Sequence, residues 1–150
     1  MGFFINTDGF PYIENWHDAA NHEFMVDPIR GSGRNAGLKP IAKRNATHMT
    51  VRRERNQTSP LGNVGLSIVY RLYNTDCVTY FEDGSKRISP DGHHEQSTIA
   101  FMTALVEGSV RNADEGFVYS KYWSGPTYYF EGTLDFGVDD VPLNSKRCVI

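Results

Sequence analysis

The clearest hydrophobic pattern lies in the middle of the chain, where runs of apolar and β-branched residues alternate with short polar breaks. The runs are Val64–Tyr73, Cys77–Phe81 and Lys86–Ser89, and the breaks contain Asn74-Thr75-Asp76 and Asp83-Gly84. Runs of this length that are bounded by Asn, Asp and Gly are typical of strands joined by tight turns. The pattern predicts a three-stranded antiparallel meander.

Two further segments carry apolar residues three or four positions apart, the spacing of an amphipathic helix. The first runs from Pro11 to Pro28, and its apolar positions are Tyr12, Ile13, Trp16, Ala19, Ala20, Phe24 and Met25. The second begins with Ser97 as its N-cap and ends before Gly108, and its apolar face comprises Ile99, Met102, Leu105 and Val106. We expect the first helix to turn its acids to solvent and the second to cover the sheet.

Shorter strand patterns flank these segments, at His48–Arg53, Gly116–Trp123, Thr127–Gly132 and Leu134–Val138. Residues 29–40 contain three glycines without apolar periodicity, which predicts a linker. We therefore predict an α+β fold, in which an antiparallel β-meander of about five strands packs on one helix and carries an N-terminal helical appendage. The predicted units are residues 1–40, the appendage with its glycine-rich linker, and residues 41–150, the core domain.

Composition agrees with a single folded domain. The 150 residues are 39% hydrophobic and 22% charged, which excludes a disordered polyampholyte and a coiled coil. No apolar run approaches the roughly 18 to 20 residues of a membrane span, and the first residues lack the basic and apolar regions of a secretory signal. Cys77 and Cys148 have no metal-binding spacing, so reduced thiols are expected. We expect a cytoplasmic protein without membrane partners.

The formal charge of −3 hides an arrangement in blocks. Residues 1–29 carry −5, residues 30–55 carry +7 and residues 56–150 carry −5. The cations of this basic block are Arg30, Arg34, Lys39, Lys43, Arg44, Arg52, Arg53 and Arg55. They could neutralise the acidic blocks of this chain or of a second copy, contact an acidic protein, or bind the phosphates of a nucleic acid. The sequence leaves these alternatives open.

Aromatic residues are concentrated in residues 117–136, where they occupy eight of twenty positions. Alternation along a strand predicts that one face is buried against the helix and the other is exposed. The residues predicted on the buried face are Phe117, Tyr119 and Tyr129, and those predicted on the exposed face are Tyr122, Tyr128 and Phe130. Exposed aromatic side chains stack on bases or anchor protein contacts, so the second set joins the basic block as candidate partner- or nucleic-acid-binding residues.

Several motifs between about residues 62 and 136 occur together. They are Leu72–Tyr80 with its Asn-Thr-Asp turn, Asp83-Gly84, Ile88-Ser89, Ser97-Thr98-Ile99, Tyr122-Trp123-Ser124-Gly125, and Tyr128-Tyr129-Phe130 with Gly132. In this combination the chain resembles a group of small uncharacterised accessory proteins of tailed bacteriophages. The resemblance implies a phage origin, an accessory role and a location in the host cytoplasm. It assigns no activity to any residue.

Candidate catalytic clusters are few, because the chain lacks a nucleophile elbow, a P-loop, a dinucleotide fingerprint and a zinc-protease motif. The acid and histidine clusters are His93-His94-Glu95 with Asp91, then Glu14, Asp18 and His22 with His17, and finally Asp135, Asp139 and Asp140. Such side chains can ligate metals. However, adjacent histidines on a loop point in opposite directions, and the spaced acids fit a solvated helix face and a solvated tail. We expect no cofactor and no metal.

These observations favour a binding protein over an enzyme. The leading hypothesis is a phage accessory protein that inhibits or redirects a host protein complex by protein–protein contacts, for instance in anti-defence action of the anti-CRISPR kind. One alternative is a nucleic-acid-binding protein whose basic block contacts phosphates, and another is a metal-dependent hydrolase at the histidine clusters. A homodimer also stays open, since the acidic N-terminal block of one copy could dock on the basic block of another.

Overall fold

The computed structural model describes residues 5–90, 95–113, 115–122 and 125–148, with side chains up to residue 145. These residues form two helices and nine strands, and every strand pair is antiparallel, which confirms the predicted α+β fold. The elements are α1 (Trp16–Met25), β1 (Met49–Thr58), β2 (Val64–Leu72), β3 (Thr75–Phe81), β4 (Lys86–Ile88), α2 (Gln96–Ala104), β5 (Ser109–Ala113), β6 (Gly116–Ser120), β7 (Thr127–Phe130), β8 (Leu134–Phe136) and β9 (Lys146–Cys148). Neither described helix is long and apolar enough to cross a bilayer.

The strands are arranged in two sheets. The first has five strands in the order β1-β2-β3-β4-β8, and it contains the predicted meander. The second has four strands in the order β5-β6-β7-β9. The sequence predicted strands at the positions of β6 and β7 but assigned them to the same sheet as the meander. The chain returns from the second sheet to the first at β8, where Asp135 lies opposite Arg87 of β4.

The turns of the meander follow the local sequence. Tyr73 and Asn74 connect β2 to β3, and Tyr73 has a φ of 53°, in the left-handed region. Gly84, with a φ of 96°, follows Asp83 in the turn from β3 to β4, and a side chain there would be strained. Both turns lie where polar breaks interrupt the hydrophobic runs. The predicted strands of the meander are thereby confirmed.

The strand β1 is longer than predicted and lies at the edge of the first sheet. A short segment of chain covers the first half of this edge, because the N–H of Val51 donates to the carbonyl of Lys39 and the N–H of Ile41 donates to the carbonyl of Met49. Residues 39–41 are therefore fixed beside β1. This contact determines where the long loop that precedes them lies.

The helix α1 begins at Trp16 rather than at the predicted Pro11. Its N-cap is Asn15, whose side chain accepts from the N–H of Asp18 at 3.0 Å, and the carboxylate of Asp18 accepts from the N–H of Glu14 at 3.0 Å. These bonds satisfy donors that the first turn of a helix leaves unpaired. The helix starts where this cap is available.

The buried face of α1 also differs from the prediction at its C-terminal end. Glu23 is buried, whereas Phe24 and Met25 are 77% and 75% exposed. The prediction for Phe24 and Met25 is therefore wrong. The physical reason is that Glu23 forms two ion pairs on the protein side of the helix, so the last turn presents its apolar residues to solvent.

The helix α2 packs against β3 and β5. Its predicted apolar face is confirmed, since all four predicted residues are buried. The predicted N-cap is wrong, because the helix begins at Gln96 and its N-cap is Glu95, whose side chain forms no capping hydrogen bond.

The core is one cluster that spans both parts of the chain. Ile13 and Ala19 from the N-terminal segment belong to the same buried cluster as Ile68 of β2, Phe101 of α2 and Phe136 of β8. The boundary at residue 40 stays a prediction about folding units.

Candidate functional site

Glu23 binds two cations of the basic block. Its carboxylate is 2.6 Å from Lys39 Nζ and 3.0 Å from Arg53 Nε, and Lys39 Nζ also donates to the main-chain carbonyl of Glu23 at 3.0 Å. Burial alone would raise the pKa of Glu23, but hydrogen bonds from Lys39 and Arg53 outweigh that effect and lower the pKa. The ionised carboxylate therefore joins α1 to β1 and neutralises charge in the block.

Arg52 is neutralised by acids on its own sheet. Its guanidinium donates two hydrogen bonds of 2.8 Å to Asp76 and a third of 2.7 Å to Glu54. The hydrogen bond from Arg52 is the main reason why the pKa of Asp76 is lowered, although partial burial opposes it. A forked arginine–carboxylate contact of this kind is fixed in geometry. The guanidinium of Arg52 is therefore neutralised by contacts within the chain.

The other five cations of the block are not neutralised by a carboxylate of the described residues. Arg44 donates from Nη1 to the carbonyl of Asp27 and from Nη2 to the carbonyl of Pro28, the latter at 3.2 Å. Both acceptors are neutral. The side chains of the remaining four form no hydrogen bond or ion pair with the described residues; they are Arg30, Arg34, Lys43 and Arg55.

A groove lies beside the end of α1, with a volume of about 580 Å³. Its apolar walls are formed by Met25, Val26, Pro28, Pro40, Ile41 and Ala42, and its charged side chains are Asp27, Arg30 and Arg44. We call this set of nine residues the Met25 groove. Two of the predicted binding residues, Arg30 and Arg44, thus meet an apolar surface that the sequence did not indicate.

Hydrogen bonds hold both walls of the Met25 groove. The loop of residues 29–38 is closed by the N–H of Ile29, which donates to the carbonyl of Leu38 at 2.8 Å. On the other wall, the carbonyl of Ile41 accepts from His22 Nε2 at 2.9 Å, which leaves His22 Nδ1 to accept from the Tyr70 hydroxyl at 3.0 Å. Burial lowers the pKa of His22, in keeping with a neutral ring in this role.

The acidic clusters singled out from the sequence are dispersed among structural contacts. The carboxylate of Asp18 accepts from the main-chain N–H of Glu14 at the start of α1, Asp135 pairs with Arg87 at 2.7 Å, and Asp140 lies 3.1 Å from Lys86 Nζ. The described ranges contain no group of three side chains that could hold a metal ion. Asp91, His93 and His94 lie outside the described residues, so the first histidine cluster stays a prediction.

The aromatic residues of the second sheet correct the predicted assignment of its buried and exposed faces. Phe130 is 2% exposed and stacks on Phe117 at 5.5 Å between ring centroids. The two are opposite each other in the register of β6 and β7, as are Tyr119 and Tyr128, and directly opposite residues share one face of a sheet. Phe130 is therefore a core residue and not a binding residue. Tyr128 is partly buried on the same face.

Tyr129 lies on the outer face of this sheet, opposite Val118. It is only partly buried, and its hydroxyl donates to Glu131 at 2.7 Å, so its predicted burial is wrong. Tyr122 is 60% exposed, as predicted.

Tyr122 lines a second cleft of about 690 Å³. The other lining residues are Tyr12, Glu107, Gly108, Ser109, Arg111, Ser120 and Lys121. Lys121 is held between Asp140 at 3.1 Å and Glu107 at 3.8 Å, so charges of both signs largely cancel there. The cleft joins the β5–β6 hairpin to Tyr12, which is far from it in the sequence, so no local pattern could have indicated it.

A third, smaller cleft contains Ser59 beside Asp83. Asp83 accepts hydrogen bonds from the Ser59 hydroxyl, from Asn63 and from Ser85. These bonds outweigh the effect of burial and lower the pKa of Asp83 to about 2. A carboxylate with so low a pKa is a poor general base at neutral pH, and the contacts fix two neighbouring turns.

Comparison with known protein families, with curated proteins and with solved structures finds no match to this chain. The candidate site therefore rests on its geometry. The Met25 groove combines exposed apolar side chains with two arginines, Arg30 and Arg44, that form no ion pair with the described residues.

Proposed function

We propose that the protein is a non-enzymatic binding protein that holds a partner protein in the Met25 groove. The observation that carries the proposal is the exposure of Met25, which lines the groove together with Arg44, and of Phe24, which precedes it in the last turn of α1. Aromatic residues, Met and Arg are enriched at protein–protein interfaces, whereas apolar side chains gain nothing from contact with water. This combination supports a surface that a partner covers.

Burial of Phe24 and Met25 by a partner would contribute favourable free energy to binding. Burying a side chain such as Phe or Met contributes about 1.5 to 3 kcal/mol, and both Phe24 and Met25 are largely exposed before binding. Arg44 is held in place by main-chain carbonyls, so little side-chain entropy would be lost when a partner contacts it.

The resemblance to phage accessory proteins supports a host protein complex as the partner, which binding would inhibit or redirect, for instance in anti-defence action. The state of the basic block favours such a partner over a nucleic acid. Lys39, Arg52 and Arg53 contact carboxylates of this chain. Fewer than the eight cations of the basic block are therefore available to bind phosphates.

Affinity capture from a bacterial lysate at low salt tests the proposal. The wild type is compared with Phe24→Ser/Met25→Ser, which removes the apolar surface, and with Leu61→Ser/Val64→Ser as a matched control. Leu61 and Val64 are also exposed and apolar, but they lie at the turn between β1 and β2. We expect a protein that the wild type and the control capture and the groove variant loses.

Circular dichroism of the three proteins checks that each is folded. Equal capture by the wild type and the groove variant, or capture of nothing above background by any of them, contradicts the proposal.

A further inference from the structure

In the folded chain the cations of the basic block fall into two groups, one paired with carboxylates of this chain and one without such pairs. In the neutralised part each cation contacts a carboxylate of this chain at 2.6 to 3.0 Å, and its members are Lys39, Arg52 and Arg53. Ion pairs with the described residues are absent in the other part, which comprises Arg30, Arg34, Lys43, Arg44 and Arg55. Three of this second group lie at the Met25 groove or next to it. Most of the cations of the block that lack an ion pair with the described residues therefore lie at or next to the Met25 groove.

Arg44 shows how the charge is kept at the groove. Its guanidinium spans the two walls, since the arginine belongs to the segment after Pro40 and its acceptors are the carbonyls of Asp27 and Pro28. Carbonyl oxygens fix a guanidinium in position but do not cancel its charge. A positioned arginine with free donors is suited to forked contacts with a carboxylate.

The rim of the groove has an excess of positive charge over an apolar floor. Arg30 and Arg44 line it, Lys43 lies between two lining residues along the chain, and Asp27 is the one carboxylate among the lining residues. Met25 and Pro28, which are both exposed, contribute apolar surface between these charges. An interface partner is expected to be complementary in both respects, with acidic groups at its rim and apolar groups at its centre.

We infer that the Met25 groove binds an acidic, amphipathic segment of the partner protein, in which large apolar side chains alternate with Asp or Glu. The inference rests on the proposed function and adds the chemistry of the segment to it. The apolar side chains contact Met25 and Pro28, while the carboxylates pair with the rim cations Arg30, Lys43 and Arg44.

Two other occupants fit the groove less well. The phosphates and sugars of a nucleic acid offer no large apolar groups for Met25. A second copy of this chain offers fewer carboxylates than the five of its acidic N-terminal block, because Glu23 is paired within the chain and the carboxylate of Asp18 accepts from the N–H of Glu14 at the start of α1.

Selection from a random dodecapeptide library on the immobilised full-length protein tests the inference. We expect the enriched peptides to carry Asp or Glu interleaved with Leu, Phe or Trp, and to bind more weakly as salt rises from 50 to 300 mM. In a fluorescence assay with the most enriched peptide, Arg30→Gln/Lys43→Gln is expected to weaken binding about tenfold, as the loss of two rim charge pairs predicts. The matched control is Arg55→Gln/Arg111→Gln, which removes two exposed cations outside the groove and is expected to bind as the wild type does.

Several results overturn the inference. They are enrichment of neutral or basic peptides, enrichment of no peptide, and equal binding by the rim variant and the wild type. If Arg30→Gln/Lys43→Gln, the rim variant, loses binding to a 20-nucleotide DNA and no acidic peptides are enriched, the occupant is a nucleic acid and the inference is wrong. If the wild type has a solution mass of two chains and the rim variant has a mass of one, the occupant is a second copy and the inference is also wrong. If neutral peptides are enriched and Phe24→Ser/Met25→Ser abolishes their binding, the segment chemistry is wrong while the proposed function stands.

Discussion

The contact of Glu23 with Lys39 and Arg53 makes a sharp prediction about stability. We expect Glu23→Gln, which keeps the volume of the side chain, to lower the free energy of unfolding by about 2 kcal/mol at pH 7. Loss of a buried partner costs about 3 to 5 kcal/mol when the charge that remains is also buried. Here Lys39 and Arg53 are only partly buried and water can solvate them, so a smaller loss is expected.

The pH dependence of this loss follows from the direction of the pKa shift. The pKa of Glu23 is lower in the folded chain than its ordinary value of 4.5, so the unfolded chain takes up the proton first as the pH falls. The stabilisation is therefore complete above about pH 4.5 and is lost as the pH drops through the folded-state pKa. The difference between wild type and Glu23→Gln should shrink between pH 5 and pH 3.

Urea denaturation followed by tryptophan fluorescence at pH 7, 5 and 3 measures the effect. The matched control is Asp76→Asn, which removes an ion pair that is about two-fifths exposed and is expected to cost less than about 1 kcal/mol. A loss below about 0.5 kcal/mol for Glu23→Gln at pH 7 would refute the reasoning, since it would mean that desolvation of Glu23 cancels the hydrogen bonds. So would a loss that stays constant down to pH 3.

Two further predictions concern other buried titratable groups. Burial lowers the pKa of Lys86, although Asp140 opposes this effect. In urea denaturation at pH 7 we therefore expect Lys86→Met to be at least as stable as the wild type, and we expect Asp140→Asn to lose about 3 kcal/mol of unfolding free energy because the ammonium is left unpaired. A larger loss for Lys86→Met than for Asp140→Asn would contradict this. Burial also lowers the pKa of His22 below 6.5, so the unfolded chain is protonated first and the melting temperature of the wild type should fall as the pH drops from 7.5 to 5.5. His22→Gln should lack that component in the same thermal scans, and parallel curves for the two proteins would show that His22 does not titrate as expected.

The parts of the fold that could be predicted are those with a local cause. The turns at Asn74 and Asp83-Gly84 lie next to the strands they connect, and their residue types favour tight turns. The pairing of β4 with β8 had no such signal, because it joins distant segments of the chain. Arg87 and Asp135 are 48 positions apart, and nothing in the sequence around either residue indicates the other.

The candidate site was predicted in part, for a related reason. The charge pattern indicated Arg30 and Arg44, which line the groove. Helical spacing assigned Met25 to the buried face of α1, whereas Glu23 occupies that face at its C-terminal end. Which face is buried depends on Lys39 and Arg53, and both lie outside the helix. Periodicity within a helix does not contain that information.

The pairing of β4 with β8 also bears on how the protein is made. Until residues 134–136 reach the first sheet, β4 is an open edge with unsatisfied backbone groups, and such edges recruit strands from other chains. Contacts between distant positions also slow folding, because a long loop must close before they form. A nascent or truncated chain that stops after α2 would expose this edge, so co-expression with a chaperone should raise the yield of such fragments more than that of the full-length protein.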